Sequence, residues 1–123
     1  MSEVSTRFVD LNLLLTNAGK HVAALARAPD GYGAHIVTGA AAGLAHAVSA
    51  CLTGRDIACV RMLPDVSQLE RFEVILDGAS DHRWNQSIAL TGAKLKIVGD
   101  ASQPMDAESL RSALPSGHRT AAV

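Results

Sequence analysis

The sequence predicts an α/β fold in which a mainly parallel sheet is flanked by helices. Short apolar segments typical of strands alternate along the chain with amphipathic segments typical of helices. The first apolar segment, residues 34–37, lacks the polar alternation of a half-exposed strand, as expected for a strand that is covered on both faces. Turn clusters rich in Gly, Pro and Asp separate the segments. Strands joined through helices favour parallel pairing.

Composition predicts one globular domain over residues 8–115, between a flexible leader at 1–7 and a loose tail at 116–123. The 123 residues are 48% hydrophobic and 19% charged. Only 3% of the residues are aromatic, so Ala, Leu and Val must fill the core. The formal net charge is −1 and the basic residues are scattered, so the sequence predicts no nucleic-acid-binding face.

The compartment predicted from the sequence is the cytoplasm, with no membrane contact. Residues 1–7 are polar rather than a secretory signal, and no apolar run reaches the roughly 18 residues of a membrane span. Cys51 and Cys59 form no CxxC pair and have no zinc spacing with the histidines. We therefore expect reduced, packed thiols and no metal site.

The first half of the chain predicts helix, strand and helix. Residues 7–27 carry apolar side chains at three- and four-residue steps, and Gly19 within this helix is expected to permit close packing. Residues 34–37 form the first predicted strand. A second helix is predicted over residues 40–53, with Gly54 as its stop.

The second half continues the alternation of helices and strands. Asp106 is expected to cap the last helix. The predicted elements are a helix over 55–63, a strand over 72–76, a helix over 84–90, a strand over 94–98 and a helix over 106–114.

Two segments follow strands, at the edge where parallel sheets bind ligands: residues 38–43 and 78–84. At the first, Thr38 and Gly39 lead from a strand into a helix N-terminus, which favours anion binding. The same turn also fits a tight connection that binds nothing. At the second, His82 lies in a polar loop. There its ring fits a role in stacking on a ligand or in proton transfer, but it also fits a solvated side chain without a function.

No catalytic residue is assigned from the sequence. The phosphate-loop motif with its lysine, the dinucleotide fingerprint and a serine nucleophile elbow are all missing. The three lysines, Lys20, Lys94 and Lys96, fit solvated positions on a helix and a strand.

Eight segments, in order, resemble the bacterial selenocysteine synthase-like group of pyridoxal-phosphate enzymes. This group includes L-seryl-tRNA(Sec) selenium transferase and aminosugar-phosphate ammonia-lyases, and its fold is that of aspartate aminotransferase. The resemblance covers residues 8 to 100. It implies that this chain is part of the large domain of that fold. Its segments are residues 8–11, 17–25, 37–44, 50–54, 63–65, 73–76, 82–83 and 91–99.

The resemblance implies pyridoxal phosphate as cofactor and assigns two binding segments. The backbone N–H groups of Thr38, Gly39, Ala40 and Ala41 would cradle the phosphate, with the Thr38 hydroxyl adding a contact. His82 would stack on the pyridine ring. This chain lacks a serine that the group usually carries between the threonine and the glycine of this turn.

The resemblance also implies that this chain is truncated or fragmentary. Members of the group are much longer, and they supply the Schiff-base lysine and the aspartate for the pyridine nitrogen after the matched region. The sequence therefore predicts a fragmentary pyridoxal-phosphate transferase or lyase that is inactive alone. Two alternatives stay open: a small non-enzymatic module that binds an anion or a partner protein, and one half of a split enzyme. A truncated sheet leaves apolar surface uncovered, so a homo-oligomer or a partner chain is expected.

Overall fold

The computed structural model describes residues 8–80, 82–114 and 118–123. The chain divides into two compact units, Met1–Thr38 and Gly39–Val123, which are described separately. The predicted leader, residues 1–7, lies outside the described residues. The single domain expected over residues 8–115 stays a prediction.

The first unit contains helix α1, Leu11–Leu25, which is shorter than the predicted helix over residues 7–27. It begins where the Asp10 carboxylate accepts a hydrogen bond from the Leu13 N–H at 3.0 Å. Gly19 is buried in it, and a Cβ at this position would lie 2.3 Å from the Ala34 carbonyl oxygen. The close packing expected at Gly19 is therefore confirmed.

The strand predicted over residues 34–37 is wrong. These residues form neither a helix nor a strand. An apolar run supplies the side chains of a buried strand, but a strand also needs a neighbour for its backbone N–H and C=O groups. The sheet in the described part of the chain consists of three other segments.

The second unit is an α/β arrangement around a three-stranded parallel sheet, which confirms the predicted fold class. The strand order is β2-β1-β3, and both neighbours of β1 run parallel to it. In chain order the elements are α2 (Ala40–Thr53), α3 (Ile57–Met62), β1 (Glu73–Asp77), a 3-10 turn (His82–Trp84), α4 (Asn85–Ala89), β2 (Lys94–Val98), α5 (Ala107–Ala113) and β3 (Thr120–Ala122).

The core of this unit lies where α2 and α4 meet the sheet. Ile75 on the central strand is completely buried. β1 pairs with β2 in register from Glu73 opposite Lys94 to Asp77 opposite Val98. The buried cluster contains Val48, Leu52, Leu69, Val74, Ile88 and Ala93, with no aromatic member.

Strand β3 corrects the prediction of a loose tail over residues 116–123. Thr120–Ala122 pairs with β1, beginning with Glu73 opposite Thr120, and the N–H groups of Phe72 and Glu73 both donate to the Arg119 carbonyl. Residues 116 and 117 lie outside the described residues. A strand of three small residues carries too little apolar pattern to stand out from a loop.

The predicted helix ends are confirmed where glycine or aspartate marks them. Gly54 ends α2 with φ of +58°, a conformation that glycine adopts readily. Asp106 caps α5 through a capping box, in which its carboxylate accepts from the Ser109 N–H while the Ser109 hydroxyl accepts from the Asp106 N–H.

Candidate cofactor-binding site

Gly39, in the predicted phosphate turn, has a backbone conformation that is unfavourable for residues with a side chain. It precedes α2 with φ of +150° and ψ of 173°, a region of backbone space that is essentially restricted to glycine. A Cβ at this position would meet no atom within 4 Å. The glycine is therefore required by its backbone angles, and the space beside it is open.

The first turn of α2 presents backbone donors without side chains that would cover them. The first intrahelical bond runs from the Gly43 N–H to the Gly39 carbonyl at 2.9 Å, so the N–H groups of Ala40, Ala41 and Ala42 have no acceptor within the helix. No acidic side chain lies in this turn. Donors, dipole and small side chains together match the needs of a phosphate group.

Thr38 is the last residue of the first unit, whereas Gly39, Ala40 and Ala41 begin the second. Its side chain is exposed. The contribution of its hydroxyl to phosphate binding stays a prediction.

The carboxyl end of β1 is held rigidly before the loop that carries His82. The Asp77 carboxylate accepts from the N–H groups of Ala79 at 2.9 Å and Met105 at 3.1 Å. These bonds, the Ala79 bond first, hold the pKa of Asp77 below its usual value. Gly78 donates its N–H to the Val98 carbonyl at 2.8 Å.

Gly78 has no room for a side chain. A Cβ there would lie 2.0 Å from the carbonyl oxygen of Gly99, the residue that follows β2. The ends of two neighbouring strands therefore touch through glycine backbone.

His82 is exposed, and both of its ring nitrogens have partners. Nε2 lies 3.2 Å from the Gly78 carbonyl oxygen, and Nδ1 lies 3.0 Å from the side-chain amide nitrogen of Asn85. The imidazole is thus anchored at both nitrogens, although the residue is exposed to solvent. Sequence reasoning did not find Asn85, although a histidine and an asparagine three residues apart face each other readily in a helical turn.

The predicted site residues belong largely to one unit. Gly39, Ala40 and Ala41 open α2, His82 precedes α4, and α2 packs against α4. The described contacts of His82 go to Gly78 and Asn85, which are both local in sequence.

Two of the three lysines make contacts of their own. Lys94 lies over the Phe72 ring, 5.2 Å from its centroid, and the Lys96 ammonium group donates to the Ala113 carbonyl at the end of α5. The prediction that Lys96 is solvated is wrong, because it is half-buried in this contact.

The described ranges contain neither a candidate metal site nor a candidate membrane-spanning helix. No three His, Cys, Asp or Glu side chains there are grouped so that they could hold a metal ion. No helix in those ranges combines the length and apolar character needed to cross a membrane. Both cysteines are free thiols, Cys51 exposed and Cys59 half-buried.

Comparison with known proteins gives a structural match. No protein-family model matches the sequence, and no curated protein matches it either. The solved structure of D-glucosaminate-6-phosphate ammonia-lyase superimposes with a TM-score of 0.79 and 28% sequence identity. The match covers 95% of this chain and 31% of that chain, so this chain spans about a third of the lyase. The resemblance drawn from the sequence is confirmed: in fold and in aligned sequence, this chain is similar to part of an aminosugar-phosphate ammonia-lyase.

Proposed function

We propose that this chain is the cofactor-phosphate and ring-binding segment of a pyridoxal-phosphate enzyme similar to the aminosugar-phosphate ammonia-lyases. The observation that carries the proposal is the match to D-glucosaminate-6-phosphate ammonia-lyase over 95% of the chain, at 28% identity. The glycine-restricted backbone at Gly39 supports it, because the resemblance assigns phosphate binding to this turn.

In this proposal each binding residue acts through a contact that its geometry permits. The N–H groups of Gly39, Ala40 and Ala41 bind the phosphate, and Thr38 adds its hydroxyl. His82 would stack on the pyridine ring. The bound cofactor supplies an electron sink, while this chain orients it.

A cofactor analogue without an aldehyde tests the proposal directly. We would titrate 4′-deoxypyridoxine 5′-phosphate, which keeps the ring and phosphate but forms no Schiff base with surface lysines. We expect the backbone amide resonances of residues 39–43 and the His82 ring resonances to shift together. If the amides of residues 39–43 stay in place at saturating analogue, the proposal is rejected.

The variant Gly39→Ala should weaken binding of the analogue, because alanine is strained at φ of +150°. Strain of about 1–3 kcal/mol corresponds to a loss of affinity of about five-fold or more. Gly33→Ala is the matched control, since its Cβ meets no atom within 4 Å and its φ lies outside the positive range. We expect Gly33→Ala to bind like the unchanged chain.

Inorganic phosphate separates the cofactor function from the alternative of a simple anion-binding module. An anion module would respond to phosphate and to the analogue alike, at the amides of residues 39–43 only. The cofactor segment should bind the analogue more tightly than phosphate and should also shift His82.

We propose further that this chain has no catalytic activity by itself. The resemblance assigns the Schiff-base lysine and the pyridine-nitrogen aspartate to parts of the enzyme beyond the region matched here. Treatment with pyridoxal phosphate and borohydride should leave no lysine selectively labelled among Lys20, Lys94 and Lys96. A single, stoichiometric adduct found by mass spectrometry would contradict this proposal.

A second copy or a partner chain is part of the same proposal. Helix α1 leaves large apolar side chains in solvent: Leu11 is 63% exposed and Leu25 is 72% exposed. Exposed leucines at both ends of one helix favour association. Sedimentation velocity should show a concentration-dependent oligomer, and replacing both leucines by glutamine should give a monomer. A monomer at high concentration for the unchanged chain would refute the oligomer.

A further inference from the structure

We propose that Asn85 is a positioning residue that, together with the Gly78 carbonyl, holds the His82 imidazole in one orientation with its proton on Nε2. This inference rests on the proposed function for its role, since the held ring is the one that would face the pyridine ring. The arrangement itself is a property of this chain and can be measured without cofactor.

The first step of the argument is the contact at Nε2. A backbone carbonyl oxygen can only accept a hydrogen bond, so the nitrogen that lies 3.2 Å from the Gly78 oxygen must carry a proton. The carbonyl shares a peptide plane with the Ala79 N–H, which donates to the Asp77 carboxylate at 2.9 Å, and this bond holds the carbonyl in place. The proton on Nε2 is therefore set by the contact with the Gly78 carbonyl.

The second step is the contact at Nδ1. The Asn85 amide nitrogen lies 3.0 Å from it and can only donate. Nδ1 then accepts, which matches the tautomer with its proton on Nε2. The two contacts together define the tautomer and the orientation of the His82 ring.

The third step connects this orientation to a stacked ligand. A side-chain ring that must stop rotating when a ligand ring stacks on it loses binding free energy, whereas a ring that is already held does not. Anchoring at both nitrogens limits rotation of the imidazole before a ligand ring stacks on it.

Two-bond ¹H–¹⁵N spectra of histidine-labelled protein test the arrangement without cofactor. At pH 8 we expect His82 to show a protonated Nε2 and an unprotonated, accepting Nδ1. Asn85→Asp places an acceptor at Nδ1, so the Nδ1 resonance should move toward the protonated position. Gln86→Ala, at the adjacent exposed position of α4, is the control and should leave the His82 pattern unchanged.

Affinity for 4′-deoxypyridoxine 5′-phosphate provides the second measurement. Asn85→Ala removes one neutral hydrogen bond to the ring, and the analogue should bind about two- to ten-fold more weakly. Affinity for inorganic phosphate should not change, because Asn85 does not contact the phosphate turn in this proposal.

The possible outcomes separate this inference from the proposed function. If the His82 spectrum is as expected but the analogue does not bind, the ring arrangement stands and the cofactor function fails. If the analogue binds but neither Asn85 variant changes the His82 spectrum or the affinity, the positioning role is overturned. A His82 ring that carries its proton on Nδ1 at pH 8 would overturn it as well.

Discussion

Replacing Gly92 by alanine should destabilise the second unit through two separate effects. Gly92 lies in the turn between α4 and β2, has φ of +87° and donates its N–H to the Ala89 carbonyl at 2.9 Å. An alanine is strained at this φ by about 1–3 kcal/mol. Its Cβ would also lie 1.8 Å from the Pro64 carbonyl oxygen and 2.7 Å from the Pro64 carbonyl carbon.

The second effect requires the backbone itself to move. Both atoms of Pro64 belong to the main chain and cannot rotate away, and overpacking of this kind costs about 1–3 kcal/mol more. The combined loss of about 2–6 kcal/mol is a large part of the 5–15 kcal/mol that a small domain usually has. At about 4–8 °C per kcal/mol for a unit of this size, the midpoint of thermal unfolding should fall by about 8 °C or more.

Two glycine controls separate conformational strain from the close contact. Gly31 has nearly the same φ, +86°, and Gly54 lies in the same unit as Gly92 with φ of +58°, but a Cβ at either would meet no atom within 4 Å. Each alanine variant should therefore lose only the strain contribution. Urea and thermal unfolding followed by far-ultraviolet circular dichroism would measure all three. Equal losses for Gly92→Ala and Gly54→Ala would refute the argument from the Pro64 contact.

The remaining predictions concern helix capping, acid stability and thiol reactivity. Asp106→Ala should unfold at a lower temperature than Asp30→Ala, because α5 loses its acceptor for the Ser109 N–H; equal midpoints would contradict this. Acid should destabilise the fold, because hydrogen bonds hold the pKa of five carboxyl groups below the ordinary 3.8: those of Asp56, Asp65, Asp77, Asp100 and Asp106. The unfolded state therefore binds more protons than the folded state. Stability that is present above pH 3.8 is lost as the pH falls through these lower pKa values. Urea midpoints between pH 5 and pH 2 test this: Asp106→Asn, which accepts but does not titrate, should fall less steeply, and an unchanged slope would exclude Asp106. Iodoacetamide at pH 8 should label Cys51 before Cys59, because burial, followed by the Asp56 carboxylate, raises the pKa of Cys59; peptide mass spectrometry that finds Cys59 labelled first would contradict this.

Local signals in the sequence predicted the elements whose ends are set by single residues. Gly54 and Asp106 end and begin their helices by backbone angle and side-chain cap, which are properties of a few neighbouring residues. The strand at 94–98 was predicted at its observed bounds, and the strand at 72–76 differs from β1 by one residue. Side-chain pattern was sufficient for these two strands.

Sheet membership could not be predicted in the same way, because it depends on distant partners. Residues 34–37 are more apolar than Thr120–Ala122, yet only the latter segment is a strand, since β1 lies beside it. For the site, the positions of Gly39 and His82 after predicted strands and the family resemblance singled out both residues, but the contact of His82 with Asn85 depends on the 3-10 turn before α4.

The position of β1 in the middle of the sheet has a consequence for the order of folding. Glu73 pairs with Lys94 on one side and with Thr120 on the other, so the second pairing must close a loop about twice as long. Doubling the length of a loop costs only about 0.6 kcal/mol in closure entropy. The longer loop, however, forms a ladder with the three-residue strand β3, whereas the shorter loop forms one with the five-residue strand β2. We expect the β1–β2 ladder with α4 to form first and β3 to join late, so that its amide hydrogens exchange before those of β1.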